Sequence, residues 1–226
     1  MKLTTEQIAQ IEETLILNGL IYEDLKLEIT DHIASEIEEI MNREDISFDI
    51  VYKSVFEKWE NALAISSSST WLGVFFKAPK FVIDKFVTYS KRQLIKISIS
   101  ALTFGFVLVF ILSNTSGKQT FEAINLALKG TYIILTVCTI ISMFLIWRSA
   151  IKTIYGRMFI QRGYVVFIFL FQVHILNEPI IFFNIRNSFW LNVLGCFLLC
   201  WTFTYSFFQL IMAMEHFRIV KKLKLV

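Results

Sequence analysis

Three small constellations contain the side-chain types that chemistry requires. His174, Asn177 and Glu178 sit in a long apolar stretch, where an ionisable group is costly enough to be a functional candidate by default. His174 and Glu178 are four apart and share a face of any continuous helix, a spacing that suits a proton relay or half of a metal site. Asp31 and His32 with Glu36 place an imidazole one turn from a carboxylate, the pair that acid–base work uses. Cys196 and Cys200 also share a helix face.

Each has a plainer reading that outweighs the chemical one. Glu178 immediately precedes Pro179, as at the outer end of a short helix, with His174 hydrogen-bonded inside a bundle. Asp31 and His32 read as a solvated helical pair, and the cysteines as small residues that let helices pack closely. Glu215-His216 is too sparse for lipid chemistry, and the chain has no Gly-rich phosphate loop, no G-x-S-x-G and no H-E-x-x-H. The expectation is therefore no catalytic residue, no metal and no cofactor.

The elements that would position these residues are set by hydropathy. The 226 residues are 55% hydrophobic with 23 Phe, and four apolar stretches lie near 97–113, 130–147, 164–183 and 189–214. About 20 apolar helical residues cover a bilayer core of roughly 30 Å, so this reads as a four-span membrane domain over 94–226, its third span interrupted at Pro179. The first span is expected to direct insertion, since Met1–Glu13 carries no apolar run. Cys138, Cys196 and Cys200 all fall within spans, which excludes a disulfide framework.

Charge divides the chain sharply. Residues 1–60 hold 15 acidic and 5 basic side chains, whereas the remainder holds 4 acidic and 17 basic. The basic residues lie between spans, so retention of positive loops in the cytoplasm explains them and nucleic acid does not. The segment with Lys77 to Lys96, the loop with Arg148, Lys152, Arg157 and Arg162, and the tail with Arg218 to Lys224 are expected on the cytoplasmic side of the inner membrane, along with both termini.

The acidic segment, 1–63, has three helical periodicities. Thr4 and Gln7 have capping-box spacing before Ile8, Ile11 and Leu15, and Asn18-Gly19 stops that helix. Leu25, Ile29, Ile33 and Ile37 form the stripe of the second, and Phe48, Val51, Val55 and Trp59 that of the third, after Ser47 as N-cap. Residues 64–93 read as a Ser-rich linker and an amphipathic helix in the headgroup region, broken near Pro79, because Trp71, Phe75, Phe76, Phe81 and Phe86 mix with Lys77, Lys80 and Lys85. The fold expected is all-α: a cytoplasmic three-helix bundle, an interfacial helix, then a four-helix transmembrane bundle.

The run Tyr22-Glu23-Asp24-Leu25 through Glu28-Ile29-Thr30-Asp31-His32 to Glu36-Ile37-Glu38-Glu39 resembles the acidic helix of the HAAS-type domain, a short helical module that precedes several membrane spans. The start Leu3-Thr4-Thr5-Glu6-Gln7-Ile8 is similar to that of Bacteroidota membrane proteins of this build. The resemblance implies a signalling or regulatory membrane protein and supplies no catalytic residue. A regulatory or scaffolding role is therefore expected, with Glu28, Asp31, His32, Glu36 and Glu39 as the surface for a protein partner and Arg148, Lys152, Arg157 and Arg162 as a basic docking loop for the module itself. The alternative is a small transporter, channel or accessory subunit that uses His174, Asn177 and Glu178. Lipid surrounds the spans in either case, and self-association or membership of a larger complex stays open.

Overall fold

The computed structural model describes residues 2–72, 76–114, 118–175 and 188–224. The order of elements is α1 (Thr5–Leu17), α2 (Glu23–Glu44), α3 (Phe48–Leu63), β1 (Ile65–Ser67), α4 (Ser69–Leu72), β2 (Lys77–Pro79), α5 (Lys80–Ser113), α6 (Lys118–Arg148), α7 (Ile154–Ile175) and α8 (Phe189–Leu223). Apart from one antiparallel two-stranded sheet the described chain is helical. It forms two compact units, one of residues 1–90 with 150–154, the other of 91–149 with 155–226.

The first unit is built on α2. The Thr4–Gln7 capping box is formed in full, and Gly19 ends α1 at a φ of +86°, a conformation that suits glycine because it has no Cβ to clash. Ile11 and Leu15 of α1, the whole stripe Leu25, Ile29, Ile33 and Ile37 of α2, and Val51 and Val55 of α3 are buried. Ile8 is exposed, and Ser47 holds the N-cap position without a side-chain cap bond. The core does not end with these helices. Leu63, Leu72, Phe76, Val82, Ile83 and Phe86 are also buried, with Phe86 at 6.1 Å from the ring of Tyr22 and 5.1 Å from that of Phe76.

The stretch 64–93 therefore differs from a linker followed by an interfacial helix. Ile65 pairs with Pro79 and Ser67 with Lys77 across the β1–β2 ladder. Pro79 has no N–H to give a helix or a ladder, and it sits at the last strand position, where none is needed. Lys80 then opens α5, which runs unbroken for 34 residues, about 50 Å. Its first turns place Val82, Ile83 and Phe86 in a protein core: an amphipathic pattern fits a headgroup layer or a folded core equally.

In the second unit α8 is the common packing surface. Phe121, Ile124 and Leu128 of α6 join Val109 and Leu112 of α5 around Val193, Cys196 and Leu199 of α8. Tyr132 meets the ring of Phe203 at 5.5 Å and donates its hydroxyl to the Val166 carbonyl of α7 at 2.9 Å. Gly105 brings α5 so close to α8 that a Cβ there would lie 3.2 Å from the Phe197 Cα. Gly156 of α7 does the same against the imidazole of His216, at 2.7 Å from Nδ1.

α5, α6 and α8 are long and apolar enough to cross a membrane. Only 22%, 22% and 33% of their apolar windows are buried inside the protein. Phe104, Phe106 and Phe110, Ile134, Ile141 and Phe144, and Leu194, Leu198 and Phe207 face outward, an arrangement suited to lipid and very costly in water. Of the third apolar stretch, α7 contains the first part and the remainder lies outside the described residues.

Candidate functional site

Helix α2 is held at its first turn by two reciprocal hydrogen bonds. The first N–H groups of any helix have no acceptor within it, and Tyr22 at the N-cap makes no side-chain cap bond to them. The Glu23 N–H instead donates to the Lys152 carbonyl at 2.9 Å. In return, the Ile154 N–H, which opens α7, donates to both carboxylate oxygens of Asp24 at 3.1 Å each. Thr153 and Ile154 are each 1% exposed, while Glu23 and Asp24 are half-buried and Lys152 is exposed, so the junction is partly shielded from solvent.

Burial pushes the Asp24 carboxyl above its ordinary range, opposed by the N–H bond from Ile154, by backbone bonds at Leu25 and Asp24, and by the charge of Lys85. One turn further along α2, the ammonium of Lys85 bonds Glu28 Oε1 at 2.6 Å. Glu36 pairs with Lys58 and accepts from the Trp59 indole N–H at 3.3 Å; the Lys58 bond is the main reason its carboxyl is held below the usual value. Asp31, His32 and Glu39 are exposed.

No protein-family model, no curated protein and no solved structure matches the chain.

Of the five acidic-helix residues singled out in the sequence, Glu28 and Glu36 are thus engaged within the protein, and Asp31, His32 and Glu39 form the outward face. Of the basic loop, Lys152 lies in the first unit and contributes its backbone carbonyl, while its side chain is exposed. Arg148, Arg157 and Arg162 belong to the second unit, where the Arg162 carbonyl accepts the Tyr205 hydroxyl at 3.2 Å. His174 falls within α7, and Asn177 and Glu178 lie outside the described residues. Among the described residues no group of three His, Cys, Asp or Glu side chains is arranged to hold a metal ion.

Apart from His216, weighed in the sequence only beside Glu215, two features lie outside the residues singled out there. The first is the Asp24 junction, since it uses backbone groups of residues whose side chains give no hint of it. The second is a row of buried polar side chains in the second unit: Asn192, Ser206, Gln209 and His216 on α8, Thr136 and Thr139 on α6, and Gln93 on α5. Thr136, Thr139 and Ser206 return their hydroxyls to carbonyls of their own helices. The signal for this row was the spacing of Ser206, Gln209 and His216, three and seven apart on one helix face.

Proposed function

We propose that the protein is a non-enzymatic regulatory or scaffolding protein of the inner membrane, in which α2 presents Asp31, His32 and Glu39 to a protein partner. The observation that carries this is the division of labour along α2. Its apolar stripe is buried, its first turn is clamped by residues 152 and 154, Glu28 and Glu36 are tied to lysines, and one acidic face remains outward on a fixed helix. A preorganised face loses little entropy on binding. The resemblance of this helix to the HAAS-type module supports the same reading.

The membrane region is a four-span bundle with both termini in the cytoplasm. Residues 1–90 and 150–154 share one compact unit, and the apolar part of α5 and all of α6 lie between them in sequence. Two crossings return the chain to the side it left, which supports one side for the module and the α6–α7 loop. The basic residues Arg148, Lys152, Arg157 and Arg162 favour the cytoplasm for that side.

A photocrosslinking side chain at position 32 of the full-length protein in cells tests the partner surface. One discrete protein adduct is expected, lost when Asp31→Lys and Glu39→Lys reverse the charge of the face. Adducts to lipid or to the chain itself alone would refute the reading. A second reading, a small transporter or channel, draws on the buried Gln93, Gln209 and Asn192, because polar groups inside a membrane bundle are costly to keep. Solute flux in reconstituted vesicles that Gln209→Leu abolishes, with the fold intact, would put it first.

A further inference from the structure

We infer that the junction of Glu23 and Asp24 with Lys152 and Ile154 is a latch that couples the acidic module to the first turn of α7, and that a basic segment of the partner opens it. The inference rests on α2 being the partner surface. Its basis is reciprocity. The orphan N–H at the start of α2 is satisfied by the loop carbonyl of Lys152, and the orphan N–H at the start of α7 is satisfied by Asp24 of α2. Neither helix start can withdraw without leaving a polar group of the other unsatisfied, so the two openings are one event. The Asp24 carboxylate thus caps the Ile154 N–H with a charge-assisted bond.

The means of opening lies one turn along α2. Glu28 shares a helix face with Asp24 and Asp31, and its present counter-ion is Lys85. A basic segment that binds the outward carboxylates meets Glu28 next, and its positive charges compete directly with Lys85. Loss of the Lys85 tether removes one of the restraints on the first turns of α2, which keep the junction bonds and the packing of Tyr22, Leu25 and Ile29. Binding and opening are then linked, and the coupling is necessarily mutual: whatever destabilises the start of α7 also raises the affinity of α2 for the partner.

Hydrogen exchange on the full-length protein in detergent micelles tests this, comparing the wild type with Asp24→Ala and Asp24→Asn. In Asp24→Ala, exchange should rise about tenfold or more both at residues 152–156 and at 23–26, since an acceptor for a buried N–H is lost and both helix starts open together. Asp24→Asn keeps an acceptor oxygen of the same reach and should stay close to wild type, which separates loss of the bond from a general failure to fold. Trypsin should cut after Lys152 faster in Asp24→Ala alone. Unchanged exchange at 152–156 in Asp24→Ala would overturn the latch. So would a rise confined to 152–156 with 23–26 protected, which makes Asp24 a cap and nothing more. The crosslink at position 32 is read independently, so a missing partner and a missing latch are distinct results.

Discussion

Replacing Ile33 by Asp should unfold the N-terminal module while leaving the membrane helices intact. Ile33 is wholly buried at the middle of the α2 stripe, beside the equally buried Ile37 and among Ile11, Leu15 and Val55 of the neighbouring helices. A carboxylate there has no partner, and an unpaired charge in an apolar core costs at least several kcal/mol, against a total stability for a domain of about 5–15 kcal/mol. Limited proteolysis of the full-length protein in detergent checks it: rapid cleavage within residues 1–63 is expected, with the fragment containing α5 to α8 persisting. Ile33→Val, which removes one methyl group at a cost of about 0.5–1.5 kcal/mol, should digest like the wild type. Resistance of the Asp variant would mean that α2 is not the centre of that core.

Gly105→Leu should force α5 and α8 apart. A Cβ at this position would lie 3.2 Å from the Cα and 3.3 Å from the N of Phe197, so the obstacle is main chain and has no rotamer to change. Close approach at small residues is the chief source of helix association in lipid, and overpacking a filled site costs typically about 1–3 kcal/mol. Cys196 reports the separation, because it is fully buried in the same contact, with its carbonyl carbon 3.6 Å from that Cβ position. With Cys138 and Cys200 replaced by Ser, Cys196 should be inert to maleimide in the wild type and reactive in Gly105→Leu. Gly130, where a Cβ meets nothing within 4 Å, provides the control. An inert Cys196 in Gly105→Leu would show that the two helices do not depend on this approach.

The sequence was most legible where an apolar period repeats. The α2 stripe, the α1 capping box and the Gly19 stop follow from spacing and backbone conformation alone, because each is local. Ile8 and the 64–93 segment show the limit. An apolar residue at the right spacing is buried only if something covers it, and α1 leaves Ile8 uncovered. Phe76 and Phe86 read in the sequence as belonging to a headgroup layer, yet both are buried, with the Phe86 ring against those of Phe76 and Tyr22.

The candidate site was legible in part for a different reason. Charge asymmetry left the module either projecting into the cytoplasm or docked on the basic loop or tail, and the bonds that α2 makes to residues 152 and 154 use the backbone N–H and carbonyl groups of Glu23, Lys152 and Ile154 with one carboxylate. Helix starts carry unmet donors whatever their side chains, so a junction of this kind leaves no mark in residue type. The buried row Ser206, Gln209 and His216 was visible as a spacing, yet its significance depends on which face of α8 turns inward.

The arrangement stands or falls on which side of the membrane the module and the loop occupy. Single cysteines at the exposed positions Glu13, Asn114, Ala150 and Ser188, in a chain with its own three cysteines replaced, can be probed with a membrane-impermeant maleimide on intact cells. Positions 114 and 188 should label from outside, and positions 13 and 150 only after permeabilisation. Labelling of 13 and 150 from opposite sides would contradict the compact unit that contains both, and with it the latch and the partner surface built on α2.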